Sequence, residues 1–202
     1  ATGLAPRAFT GRTRAEAIAR VGRGHASAVR AFVFHCAECA AIDLGMSFSS
    51  LGLSETLLRA VAERNYAAPT PVQAAVIPAV LRGADVWASA QTGSGKTAAF
   101  ALPTIELLLT GRRERSRDVR ALVLVPTREL AAQIAAAAQG YARHVAAPAL
   151  KIVAVFGGVS INPQMMALRR GADLVVATPG RLLDLVAHNA LSLSAVTTLV
   201  LD

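Results

Sequence analysis

Asp85-Val-Trp-Ala-Ser-Ala-Gln-Thr-Gly-Ser-Gly-Lys-Thr97 (DVWASAQTGSGKT) is the stretch that decides how the rest of the chain is read. A short apolar strand, Val86–Ala88, runs into a glycine-rich loop, and the loop opens an alanine-rich helix. Ala90-Gln91-Thr92-Gly93-Ser94-Gly95-Lys96-Thr97 fits the P-loop pattern, with Ala90 standing where the general form has its first glycine. Gly93 and Gly95 permit positive φ, which turns successive backbone N–H groups onto one concave surface suited to a polyphosphate. The helix that follows adds the positive end of its dipole. Lys96 supplies a point charge for the β- and γ-phosphates, and the Thr97 hydroxyl is placed to ligate Mg²⁺. Lys96 and Lys151 are the only lysines in a chain with 21 Lys and Arg residues, and one of the two falls on the phosphate position.

Outward from this loop, the remaining elements alternate strand and helix. Ser54–Asn65 and Pro71–Leu81 have the apolar spacing of helices, with Ser54 a cap candidate and Pro71 suited to a first helical turn. Lys96–Leu109 reads as a helix despite Pro103. Three strand–helix units follow: Ala121–Val125 with a helix from Thr127, Lys151–Phe156 with a helix from about Asn162, and Asp173–Ala177 with a helix from Gly180. A last strand, TLVLD, reaches Asp202. The strands are continuous β-branched runs, as expected where both faces of a sheet are covered. The expectation is an α/β fold with a doubly wound parallel sheet.

In such a sheet each strand-to-helix loop emerges at the carboxyl edge, where ligands bind. Besides the P-loop, three of these loops have chemistry suited to phosphate. Pro126-Thr127-Arg128 and Thr178-Pro179-Gly180-Arg181 each place an arginine in a first helical turn, where the helix dipole disfavours a cation unless an anion is present. Gly157-Gly158 allows close approach of backbone to a ligand. Taken singly, Thr127 and Thr178 read as ordinary N-caps, the arginines as solvated and the glycine pair as a turn. Together on one edge beside a P-loop, they imply a second polyanion, hence a nucleic acid strand. The loop Gly111–Arg120, with five arginines against Glu114 and Asp118, falls on the opposite edge and reads as a solvated surface loop.

Composition bounds the remainder. With 202 residues, the chain suits one full domain plus an extension. No apolar run reaches the roughly 18 residues a membrane span needs. A net charge of +8 and a pI near 10.9 fit a polyanionic partner. Two cysteines, both within the first forty residues, build no disulfide framework and fit a reducing cytoplasm. Residues 1–46 stand apart: rich in Ala, Arg and Gly, and without strong periodicity. A transit peptide would be as basic but richer in serine. His35-Cys36-Ala-Glu-Cys39 is half a zinc site without a second ligand pair nearby. The third reading, a disordered or non-native extension before Met46, is the expectation adopted, with domain residues from 47 onward.

These motifs resemble, in order, those of the first RecA-like domain of DEAD-box ATP-dependent RNA helicases, most nearly the bacterial RhlE-like group. The resemblance covers Phe48 to Asp202: an isolated aromatic (Phe48), a Q motif (Tyr66–Gln73, YAAPTPVQ), motif I (Ala90–Thr97), motif Ia (Pro126–Ala131), Gly157-Gly158, and motif Ib (Thr178–Arg181). Val200-Leu201-Asp202 resembles the opening of motif II. Asn65 replaces the usual glycine before the Q-motif aromatic, and Asn tolerates the left-handed region. The resemblance implies that Gln73 reads adenine and Phe48 stacks on it. Read from the residues alone, Phe48 is a core side chain and Gln73 a solvated one. It further implies that Thr127, Arg128, Gly157, Gly158, Thr178 and Arg181 hold RNA through its backbone, and that Asp202 positions Mg²⁺. ATP and Mg²⁺ are the implied cofactors and RNA the implied partner. Because the sequence stops within motif II, before motif III and the second RecA-like domain with its arginine fingers, these residues alone are expected to bind ATP without hydrolysing it. Two other readings stand beside this one: a non-catalytic ATP- or RNA-binding fragment, and a different P-loop ATPase not acting on RNA. A GTPase is disfavoured, since neither lysine follows an asparagine as a guanine-reading N-K-x-D requires.

Overall fold

The computed structural model describes residues 30–35 (backbone only), 46–91, 93–111, 119–146 and 149–202. Six parallel strands form its sheet: β1 (Arg30–His35), β2 (Val86–Ser89), β3 (Ala121–Leu124), β4 (Ile152–Val155), β5 (Leu174–Ala177) and β6 (Thr198–Leu201). Their spatial order is β2-β1-β6-β3-β5-β4. The helices are α1 (Glu55–Ala62), α2 (Pro71–Leu81), α3 (Lys96–Thr110), α4 (Arg128–Tyr141), α5 (Ile161–Leu168) and α6 (Pro179–Ala187). A 3₁₀ turn, Phe48–Leu51, precedes α1. The expected parallel α/β sheet is therefore the observed one.

Both sheet faces are buried, and the strand period of two shows how. In β3, Ala121 and Val123 pack into one core while Leu122 packs into the other. In β5, Leu174 and Val176 face the first core, and Val175 and Ala177 the second. The first core is closed by α1 to α4 and the second by α5 and α6, through Leu168, Leu182 and Leu185. Continuous apolar strands were the sequence signal for this arrangement, and the double-sided burial is its cause. Among the described residues, no helix is long and apolar enough to cross a membrane.

One short stretch before Met46 is described in the structure. Arg30–His35 falls in the stretch expected to be a disordered or non-native extension, yet it forms β1 between β2 and β6. The run Ala-Phe-Val-Phe has the β-branched and aromatic character of a strand, and the sheet offers it two neighbours at once. The Cys36–Cys39 cluster lies outside the described residues.

The amino edge of the sheet is tied by a buried ion pair. Arg120 Nη2 donates to Asp173 Oδ1 at 2.8 Å, and Arg120 Nη1 donates to the Leu108 carbonyl at 2.9 Å. The other Asp173 oxygen accepts from the Lys151 amide at 2.8 Å. A single carboxylate thus joins the entries of β3, β4 and β5 and the end of α3. Arg120 is therefore not part of a solvated loop: its side chain is 12% exposed. Residues 112–118 lie outside the described residues.

Candidate functional site

The P-loop connects β2 to α3. Gly93 and Gly95 have φ of +81° and +87°, the left-handed conformation their residue type was expected to provide. Gly95 is the N-cap of α3 and contributes no side chain to it, so the first N–H groups of that helix have no intrahelical partner. The Ser94 amide donates to the Gln91 carbonyl at 3.3 Å, and the Ser94 hydroxyl is buried without a hydrogen-bond partner. Ala90 is 1% exposed and belongs to the core; an apolar methyl serves there where a glycine is the general choice. Lys96 and Thr97 are half-buried at the start of α3. Thr92 lies outside the described residues.

Gln73 is held far more closely than a solvated helix residue would be. It is 3% exposed, and its Oε1 accepts from the Thr70 amide at 3.0 Å in a capping box at the start of α2. Its Nε2 donates to the Gly95 carbonyl at 3.1 Å. A Cβ on Gly95 would collide with this amide, so Gly95 answers both a backbone and a packing demand. Phe48 is a core residue, 6% exposed, with its ring stacked on Tyr66 at a centroid distance of 6.2 Å. One ring face of Phe48 is thus taken by Tyr66. Tyr66 is itself anchored, its hydroxyl 3.2 Å from that of Tyr141, whose ring lies beneath the Arg64 guanidinium. Burial and the Tyr66 hydroxyl hold the Tyr141 phenol above its ordinary range.

The loops after β3, β4 and β5 converge. Arg128 Nη1 lies 3.5 Å from where a Cβ of Gly158 would stand, and Gly158 has φ +81°. Arg181 Nη2 donates to the Val159 carbonyl at 2.7 Å. Gln164 pins the base of the middle loop through the Phe156 amide and carbonyl, at 3.3 and 3.0 Å. Thr127 caps α4 by accepting from the Leu130 amide, at 3.3 Å, whereas Thr178 makes no such side-chain cap bond. A Cβ at Gly157 or Gly180 would meet open space. Arg128 is exposed and pairs with Glu129. Arg181 is 9% exposed, with Nε and Nη1 lacking hydrogen-bond partners. Asp202 follows β6, its amide bonded to the Leu124 carbonyl at 3.1 Å. Burial raises its carboxyl above the usual range, and the Lys96 charge opposes that shift.

Among residues the sequence reading did not single out, Glu106 accepts from the Ser54 amide at 2.9 Å and so seats the start of α1 on α3. Arg64, Tyr141, Gln164 and Asp173 were missed as well. The partners of Glu106, Arg64, Tyr141 and Asp173 are distant in sequence, and no local pattern announces them.

An αβ domain with a glycine-rich loop at a helix N-terminus, and basic loops on the same sheet edge, defines a P-loop protein whose carboxyl edge can hold anions. Residues 70–202 match the family model of the DEAD/DEAH box helicases. The chain belongs to that family. It is 47% identical over 167 residues to a DEAD-box ATP-dependent RNA helicase 52A of rice, covering 77% of this chain and 27% of the relative. It is 45% identical over 156 residues to the ATP-dependent RNA helicase DeaD of Escherichia coli K12, covering 77% and 24%. A third relative, the DEAD-box ATP-dependent RNA helicase CshA of Streptococcus pneumoniae, is 44% identical over 157 residues, covering 78% and 29%. The chain thus spans about a quarter of the length of these curated relatives.

Proposed function

We propose that these residues form the amino-terminal, nucleotide-binding part of an ATP-dependent RNA helicase, of the RhlE-like kind. The observation that carries this reading is the meeting, on one sheet edge, of a P-loop with three loops bearing Arg128, Gly158 and Arg181.

In this reading the polyphosphate of ATP lies on the N–H groups of Gly93 to Thr97, against Lys96. The unpartnered Ser94 hydroxyl and the uncapped start of α3 fit such a ligand. Gln73 has one amide hydrogen and one Oε1 lone pair left after its bonds to Gly95 and Thr70, which matches the N7 acceptor and N6 donor of adenine. The same side chain would then tie the base to the loop that holds the phosphates. Thr97 and Asp202 are the residues that would hold Mg²⁺. Among the described residues no cluster of three His, Cys, Asp or Glu offers an all-protein cage, and Mg²⁺ at phosphates needs only one or two carboxylates. When bound, the ion neutralises charge on the β- and γ-oxygens. Asp202 and Lys96 are the catalytic residues assigned on this edge, and these residues alone are expected to bind ATP without appreciable turnover. Thr127, Arg128, Gly157, Gly158, Thr178 and Arg181 would hold the RNA backbone, which fixes position without reading sequence.

Two measurements test the reading. If roughly four phosphates of a single strand are held, affinity should fall about fifty-fold between 50 and 200 mM salt, at a slope near −0.7 per phosphate. Affinity that is absent, or independent of salt, would count against RNA. Lys96→Ala should weaken ATP binding by about ten-fold or more while thermal unfolding stays unchanged. Unaltered ATP affinity would remove the P-loop assignment.

A further inference from the structure

β4 lies at the end of the sheet and pairs only with β5, so one of its sides has no strand beside it. Successive residues of a parallel strand turn their N–H and C=O groups to alternate sides. The Val155 carbonyl accepts from the Thr178 amide, on the β5 side, which leaves the amide and carbonyl of Phe156 facing the open side. Gln164, from the first turn of α5, meets both. Its Oε1 accepts from the Phe156 amide at 3.3 Å and its Nε2 donates to the Phe156 carbonyl at 3.0 Å. One side-chain amide thus stands in for a neighbouring strand where the chain leaves the sheet for Gly157-Gly158. The far end of the loop is tied by Arg181, through the Val159 carbonyl at 2.7 Å. Between these two fastenings, the Gly157 and Gly158 amides give no hydrogen bond to a backbone carbonyl among the described residues.

We propose that Gln164 is a positioning residue for the Gly157-Gly158 loop, and that it sets where the glycine backbone stands for an RNA strand. This rests on the RNA reading above. The Gln164 side chain is buried and both ends of its amide are engaged, so it acts through the loop and not on a ligand. A glycine pair suits close backbone approach because it carries no side chains, and for the same reason it has little to hold it in one conformation. Gly158, at φ +81°, already uses that freedom. A Cβ on Gly157 would meet open space, so packing does not confine the pair from that side either. The constraint comes from the residues at the two ends of the loop. Arg181 keeps donors for an anion while it holds one end, whereas Gln164 only holds.

The test uses the whole chain and a short single-stranded oligouridylate. Gln164→Glu keeps the shape and replaces the donor end with a carboxyl whose charge is set by pH. Ionised, it accepts from the Phe156 amide but turns a negative charge on the Phe156 carbonyl. Protonated, it donates to that carbonyl and restores both bonds. Burial and the carbonyl disfavour the charge, so this carboxyl takes up its proton above the ordinary value of about 4.3. At about pH 8 the variant should bind RNA roughly five- to ten-fold more weakly than the parent, and the ratio should return to one by about pH 5.5. The arginines beside the loop, Arg128 and Arg181, carry their charge throughout, and the parent at each pH is the reference. Affinity for ATP should match the parent's at both pH values. The Gly157 and Gly158 amide resonances should follow the same titration. Gln164→Met, similar in volume, removes both bonds and should weaken RNA binding at every pH without recovery. Parent-like RNA affinity of Gln164→Glu at pH 8, with only a lower unfolding midpoint, would show a mere fastening of α5 and overturn the positioning role. A loss that acidification does not reverse would overturn it too. Should Gln164→Glu unfold at pH 8, Gln164→Met decides, and parent-like RNA affinity there would sink the proposal. If the parent binds no RNA while both glycine resonances follow the titration, the RNA reading fails and the hold of Gln164 on the loop stands.

Discussion

Arg120 and Arg181 sit at opposite edges of one sheet, are buried to almost the same degree, and are held differently. Arg120, at the amino edge, gives Nη2 to Asp173 and Nη1 to the Leu108 carbonyl, with side-chain exposures of 12% and 3% for the pair. Arg181, at the carboxyl edge, makes one hydrogen bond, to Val159, and its nearest carboxylate oxygen, on Asp184, is 3.8 Å from Nε. A guanidinium that spends its charge on a buried carboxylate is a fastening. One that is fixed by a carbonyl, with only a long contact to the exposed Asp184 carboxylate, keeps donors for an anion that arrives later. Burial does not tell the two arginines apart, since it is the property they share; their partners do.

The largest expected effect lies at the fastening. Asp173→Ala leaves Arg120 buried without its counter-charge and frees the Lys151 amide. It should cost about 3–5 kcal/mol, or roughly 6–20 °C in the unfolding midpoint. Affinity of the folded protein for ATP should not change. A midpoint within a degree or two of the parent would show that the amino edge is no more a fastening than the carboxyl edge. Next in size is Arg181→Leu, which removes an incompletely satisfied charge. Stability should change by no more than about 1 kcal/mol, whereas the slope of RNA affinity against salt should fall by about 0.7. A large loss of stability with an unaltered slope would reverse the assignment of the two arginines.

The same contrast explains what could be read from the sequence. Elements set by local rules were legible: the helix Pro71–Leu81 has its observed bounds, and the P-loop glycines have the positive φ their positions demand. Convergence of the three anion-suited loops followed from the topology of a parallel sheet, and Arg128 does adjoin Gly158. Non-local partners were not legible. Asp173 looked like the first residue of a strand and Arg120 like the tail of a charged loop, because a salt bridge across 53 residues leaves no trace in either neighbourhood. Gln73 was read alone as solvated, although its amide bridges two elements. Arg30–His35 was passed over for a different reason: its surroundings are basic and aperiodic, and a strand of six residues is too short to stand out against them.

The smallest effect concerns Arg128, the exposed member of the carboxyl edge, and its neighbour Glu129. The Arg128 hydrogen bond holds the Glu129 carboxyl below its ordinary value of 4.5, and Glu129 in turn raises Arg128. Since the carboxyl is depressed in the folded chain, the pair contributes above the ordinary range and is lost as pH falls through the lowered value. Both groups are in solvent, so Arg128→Ala should leave the unfolding midpoint unmoved. Its effect should appear in RNA binding instead, where Glu129 competes with phosphate for the same guanidinium. Glu129→Gln should therefore tighten RNA binding by about 1.5- to 5-fold at neutral pH. The parent should approach the variant as pH drops below 4.5 and its own Glu129 is neutralised. If Glu129→Gln weakens RNA binding, the carboxylate orients Arg128 for the phosphate rather than withholding it, and the free-cation account of the carboxyl edge would hold for Arg181 alone.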